Sequence, residues 1–169
     1  RALTDTAAMI NSTLDLDEVL NQAMDTVIQL TGAERGYLML RNEHTGELEF
    51  RVARNIDPDG LSQDTFVVSR SVIKRVADTG EPVVTTNAQS DPRFAAQDSI
   101  VSFALRSILC VPLKIKDGLI GVIYADNRIR AGLFGESELA MLNAFASQAA
   151  IAIENARMFE RISAALREI

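Results

Sequence analysis

Two apolar runs separated by a three-residue link constrain this chain more than any other feature. Ser107-Ile-Leu-Cys-Val-Pro-Leu-Lys-Ile115 and Leu119-Ile-Gly-Val-Ile-Tyr-Ala-Asp126 flank Lys116-Asp117-Gly118. A link that short joins strands only antiparallel, because a parallel pair needs a crossover of about a dozen residues or more. A second hairpin is predicted upstream. Tyr37 to Leu40 is an apolar run of strand length, Glu43-His44-Thr45-Gly46 reads as the turn, and Leu48, Phe50 and Val52 alternate with Glu47, Glu49 and Arg51. A doubly wound dinucleotide fold links its strands through helices and fits this pattern poorly.

The helical signals fall around these hairpins. Asp15 is placed to cap a helix carrying Leu16, Val19, Leu20, Ala23, Val27 and Leu30, with Glu18 three residues on and Gly32 as its stop. Ser69 is expected to cap a second helix from about Arg70 to Asp78, ended by Thr79-Gly80 before Pro82. Val83-Val84 reads as a short strand, residues 85–106 as polar and irregular, and one helix without Gly or Pro as running from Glu136 to the end. This order predicts an α+β sandwich with the terminal helices on one face of an antiparallel sheet.

Composition narrows the function classes. A chain of 169 residues, 47% apolar with 9 Gly and 4 Pro, suits one domain with a substantial core. Lys plus Arg number 17 against 23 Asp plus Glu, so a net charge of −6 leaves no basic surplus for nucleic acid or an anionic membrane. The longest apolar run, Ala149 to Ile153, falls far short of the roughly 20 residues of a spanning helix. No signal-peptide pattern opens the chain, and a cytoplasmic setting is expected. One cysteine and one histidine exclude an internal disulfide and a multi-histidine metal site, and no cofactor is expected. Cys110 reads as a small core residue in mid-strand and His44 as an exposed turn residue. HExxH, CxxC, GxxxxGK[ST] and GxSxG patterns are missing, which argues against an enzyme.

The two ends have matching character. Leu3, Ala7, Ile10 and Leu14 are spaced four, three and four apart; Phe159, Ile162, Leu166 and Ile169 are spaced three, four and three. Such spacing is either the buried stripe of a helix on its own domain or the a/d seam of a coiled coil with a second copy.

The run Ser69-Arg-Ser-Val-Ile-Lys-Arg-Val-Ala-Asp-Thr-Gly-Glu-Pro-Val-Val84, then Ser90-Asp-Pro-Arg-Phe94, Ser107-Ile-Leu-Cys-Val-Pro-Leu113, Gly121-Val-Ile-Tyr-Ala-Asp-Asn127 and Ala149-Ala-Ile-Ala-Ile-Glu-Asn-Ala156 together resemble a GAF domain. The similarity covers roughly residues 14–160 and is strongest to GAF domains of bacterial histidine kinases, adenylate cyclases and enhancer-dependent regulators. It implies a six-stranded antiparallel sheet, terminal helices on one face, and a ligand pocket on the other, closed by residues 85–106. It also implies a signalling helix over residues 1–14, a sensor domain over 15–158 and a helical extension over 159–169 toward an output domain. Small residues at Gly121 and Ala125 on the strand, and at Ala149, Ala152 and Ala156 on the helix, are expected to let helix and sheet approach.

Phe94, Phe103 and Tyr124, with Asp91 and Arg106 as polar contacts, are the expected lining of a pocket for an unidentified small molecule. Asn127, Arg128, Phe134 and Glu138 partly match the Asn-Lys-x(n)-Phe-x3-Asp-Glu signature of cyclic-nucleotide-binding GAF domains, with Leu139 at the final acidic position. An Arg128–Glu138 ion pair is expected to clamp the loop to the last helix. Any cyclic phosphate would look to Arg93 or Arg106. The single thiol argues against the methionine sulfoxide reductase version of the fold, whose chemistry uses several cysteines. A dimerisation module with a filled interior is the remaining alternative.

Overall fold

The computed structural model describes residues 15–56, 64–85, 107–116, 118–128 and 132–168. Helix α1 (Leu16–Thr31) begins where Asp15 accepts the Glu18 N–H at 3.1 Å and ends at Gly32, whose φ of 69° places it in the left-handed region. Strands β1 (Arg35–Arg41) and β2 (Leu48–Arg54) form the first hairpin. Asn42 organises its turn: the side-chain oxygen accepts the His44 and Thr45 N–H groups at 2.7 and 2.9 Å. Helix α2 (Asp64–Thr79) starts about a turn and a half earlier than Ser69 was expected to allow. Its opening Thr, Val and Ser residues are weak helix formers rather than breakers, each costing well under about 1 kcal/mol. Strands β3 (Val83–Thr85), β4 (Ser107–Ile115) and β5 (Gly118–Asn127) follow, and helix α3 (Glu136–Arg167) closes the chain.

Among the described residues, five strands, one fewer than the family resemblance implied, form an open antiparallel sheet in the order β2-β1-β5-β4-β3. Alternation along each strand divides the interior into two cores. Leu38 and Leu40 of β1, Leu109, Val111 and Leu113 of β4, and Ile123 and Ala125 of β5 pack with α1 and α3. Tyr37, Met39, Ile108, Cys110, Val122 and Tyr124 point the other way and pack with Val72, Ile73 and Val76 of α2. The terminal helices thus share one face and α2 occupies the opposite one.

Ala125, Ala149, Ala152 and Ala156 all lie in the helical-face core, as their spacing suggested. Gly121 has a different reason. A Cβ there would strike the main-chain carbonyl oxygen of Met39 and press on Leu40 and Leu113, so this glycine serves contact between strands rather than helix approach. Close approach of a helix falls instead to Gly36, where a Cβ would lie 2.7 Å from Met24 Cε of α1.

In the last turns of α3, Phe159, Ile162 and Leu166 are exposed at 48, 58 and 64%, so they are not buried among the described residues. Leu3 to Leu14 and Ile169 lie outside the described residues.

Candidate functional site

The α2 face of the sheet carries an aromatic platform above a buried ion pair. Tyr37 and Tyr124 are direct cross-strand neighbours on β1 and β5, their rings stacked with centroids 4.8 Å apart and an interplanar angle of 21°. Phe50 of β2 extends the row, 5.5 Å from Tyr37. Such offset contacts add to area burial and fix the rings in place. Beside them, Arg35 grips Asp126 with two parallel bonds, Nε to Oδ1 at 2.8 Å and Nη2 to Oδ2 at 2.7 Å. The Tyr124 hydroxyl donates to the same Oδ2 at 2.7 Å. Asp126 is fully buried and Arg35 nearly so. Strand parity explains the grouping, since Arg35 and Tyr37 alternate on β1 while Tyr124 and Asp126 alternate on β5.

The electrostatics are those of a satisfied node. Burial opposes the charge on Arg35, but the hydrogen bonds and proximity of Asp126 outweigh it and hold the guanidinium's pKa above its ordinary value. Burial, and then the adjacent Asp126 carboxylate, push the Tyr124 phenol well above its usual range, so it remains a donor. Burial likewise raises the Cys110 thiol far beyond the range in which a thiolate forms. The face is apolar with a fixed, internally paired polar node, Tyr37 and Tyr124 are themselves buried, and no activated nucleophile stands there among the described residues.

Of the expected pocket residues, Tyr124 lies on this face. Asp91, Phe94, Phe103 and Arg106, like Arg93, fall outside the described residues. The clamp residues are placed differently from the expectation. Arg128 bonds to Glu34 through its main-chain N–H at 3.1 Å, Nε at 3.2 Å and Nη2 at 3.0 Å. Glu138 caps its own helix, accepting the Gly135 N–H at 2.9 Å, which lowers its pKa. The expected Arg128–Glu138 pair is therefore replaced by Arg128–Glu34, because a carboxylate three residues past Gly135 satisfies helix donors first. Phe134 is buried in the helical-face core and Asn127 sits opposite Ser107 at the end of β5.

Glu34 also donates its main-chain N–H to the Asp126 carbonyl, and its own main-chain carbonyl accepts from Asn55 Nδ2 at 2.8 Å. The Arg128 bonds hold its carboxyl below the ordinary carboxylate range. A carboxyl depressed in the folded state stabilises above its unfolded pKa and loses that contribution as pH falls through the folded value. Both side chains are partly solvated, so screening limits the effect: Glu34→Gln should cost about 0.5 kcal/mol at pH 7. Urea titrations across pH should show that difference shrinking as pH falls below the ordinary carboxylate range.

Residues 15–153 match the profile of the GAF domain. The chain belongs to the GAF family. Among curated relatives, it is 26% identical over 171 residues to the "Probable 3',5'-cyclic phosphodiesterase pde-5" of Caenorhabditis elegans, a match covering 95% of this chain and 23% of that protein. It is 31% identical over 99 residues to the "Hybrid signal transduction histidine kinase G" of Dictyostelium discoideum, covering 59% of this chain and 3% of that protein. The chain thus spans less than a quarter of the length of either relative.

Two solved GAF-fold structures superpose over most of the domain. The GAF domain of an Acinetobacter phosphoenolpyruvate-protein phosphotransferase gives a TM-score of 0.71 at 20% identity, covering 92% of both chains. The free methionine-R-sulfoxide reductase of Neisseria meningitidis gives 0.70 at 20% identity, covering 92% of this chain and 88% of that one. These similarities establish the α+β GAF fold. Within this GAF domain, Arg35, Tyr37 and Phe50 belong to the candidate site and were not singled out in the sequence. The alternation Arg35-x-Tyr37-x-Met39 was a usable signal for a shared face.

Proposed function

We propose that residues 15–158 form a non-catalytic small-molecule sensor of a multidomain, cytoplasmic, bacterial-type signalling protein, acting as a homodimer through its terminal helices. The observation that carries this reading is the α2 face: an aromatic row at Tyr37, Phe50 and Tyr124 beside the Arg35–Asp126 pair, on the side of the sheet away from α1 and α3. Ligand sites usually combine such apolar walls with a few fixed polar groups. A ligand on this face, covered by residues 85–106 with Asp91, Phe94, Phe103 and Arg106, bears directly on β1 and β2.

A route from that face to the last helix supports the relay. The β1–β2 hairpin carries Tyr37 and Phe50 in its strands and Glu43 at its tip. Arg157 and Arg161 of α3 reach Glu43 at 3.3 and 3.1 Å, and Arg157 Nη2 also donates to the Arg41 carbonyl at 3.0 Å. These arginines stand among the exposed apolar residues Met158, Phe159 and Ile162. A shift of the hairpin therefore reaches the surface through which residues 159–169 would pair and lead to an output domain. A signal passes only if the ligand binds the two states differently.

Light scattering tests the dimer. The chain is expected at twice 18.5 kDa, and Ile162→Asp combined with Leu166→Asp should return it to a single chain with unchanged circular dichroism. A monomeric parent would overturn the relay.

Cyclic-nucleotide binding is a second reading, favoured by the similarity to a protein named as a cyclic phosphodiesterase. Against it, Arg35 on this face is committed to Asp126 and Arg128 to Glu34. Calorimetry with cAMP and cGMP decides it: saturable heat at submillimolar ligand supports this reading, and no heat at millimolar ligand removes it.

A further inference from the structure

A cleft of about 330 Å³ opens between the β1–β2 hairpin and the C-terminal half of α3, away from the aromatic face. Leu16 and Leu40 are among its lining residues, as are Arg51 from the hairpin and Arg157 and Arg161 from the helix. In a chain of net charge −6, this convergence of guanidinium groups on one small cavity stands out against the overall field.

The cleft already holds an anion, supplied by the chain itself. The Glu43 carboxylate takes Arg157 at 3.3 Å and Arg161 at 3.1 Å. These contacts are longer than the 2.7–2.9 Å of a well-seated charged hydrogen bond. The Arg35–Asp126 pair in the same molecule reaches 2.7 and 2.8 Å. Glu43 is a partly exposed turn residue, so it can rotate away without disturbing a strand. The second contact of Arg161, with Glu154 at 3.4 Å, is looser still. Arg51 is exposed and has no bonding partner among the described residues. Arg157 is the fixed element, with its side chain only 11% exposed and one nitrogen on the Arg41 carbonyl.

We propose that this cleft is a binding site for a small phosphorylated ligand, whose phosphate group displaces Glu43 and is held by Arg51, Arg157 and Arg161. A planar guanidinium fork suits a phosphate with two accessible oxygens better than it suits one side-chain carboxylate. The other lining carboxylates set the size of the occupant. Glu49, engaged by Asn42 Nδ2 at 3.1 Å, and Glu160 leave room for one or two phosphate groups but repel a polyanion. The volume sits at the lower end of small-molecule pockets, which points to a compact phosphomonoester.

Inorganic phosphate is the probe. Titrated into isotope-labelled protein at constant ionic strength, it should give saturable shifts at Arg41 to Arg51 and at the Arg157 and Arg161 side chains, while chloride alone gives none. Glu43→Gln removes the internal competitor and should tighten phosphate binding about tenfold. Arg51→Ala should weaken it about tenfold with the melting temperature unchanged, since this side chain makes no bond that the fold needs. Phosphate shifts no larger than those of chloride would overturn the proposal. So would Glu43→Gln binding more weakly than the parent, or Arg51→Ala binding equally well.

Discussion

Asp126→Ala should be among the most destabilising single substitutions in this domain, lowering the unfolding free energy by about 3–5 kcal/mol. The change removes a fully buried carboxylate that satisfies two nitrogens of Arg35 and the hydroxyl of Tyr124. What remains is a guanidinium out of water with no counter-charge, and that orphan, rather than the lost attraction, supplies most of the cost. For a domain of this size the melting temperature should fall by roughly 6–20 °C. The companion variants separate burial from attraction. Arg35→Met should cost a similar amount by stranding Asp126, whereas Arg35→Met with Asp126→Leu should recover most of the loss because neither charge is then buried. Tyr124→Phe removes one donor and leaves the ion pair, so about 1–2 kcal/mol is expected. Urea denaturation of the four variants checks all of this. A loss under about 1 kcal/mol for Asp126→Ala would mean that water reaches the pair.

Gly121→Ala should be nearly as severe, at about 3 kcal/mol, although it adds one methyl group. The added carbon would overlap the Met39 main-chain oxygen and press on Leu40 Cδ2 at 3.0 Å and Leu113 Cδ1 at 3.2 Å. The leucine tips can rotate aside, but the carbonyl belongs to the backbone of β1, and β1 and β5 must separate to make room. Those two strands carry the Tyr37–Tyr124 stack and the Arg35–Asp126 pair, so the substitution should also loosen the candidate site. Gly135→Ala is the matched control. Its new carbon meets only Glu138 Oε1 at 3.6 Å, an ordinary contact, so its cost should be limited to the poorer capping of alanine, about 0.5–1 kcal/mol. Equal stability of Gly121→Ala and the parent would contradict the close strand approach.

What could be read in the sequence follows the range of the interaction that decides each feature. Both hairpins, the Asp15 and Gly32 ends of α1 and the long α3 rest on neighbours within a few residues, and each was legible. The start of α2 was not, because Ser69 is a good cap residue placed inside a helix, and only tertiary packing decides between the two uses. Arg35 and Asp126 lie 91 residues apart, and nothing local says that they meet. Their meeting follows from the register of β1 on β5, which opposes the two residues and sets Tyr37 against Tyr124. The Arg128 clamp failed in the same way: its sequence neighbour Glu138 was the visible partner, while Glu34, 94 residues away, was the actual one.

The proposed relay would join two surfaces, the aromatic face as the ligand site and the exposed stripe of α3 as the contact with a second copy. Native mass spectrometry of the protein as purified from cells reads both at once. The account predicts a species of two chains, each carrying the same small-molecule mass increment, with the increment lost in Tyr37→Ala. A single bare polypeptide of 18.5 kDa as the dominant species would contradict it.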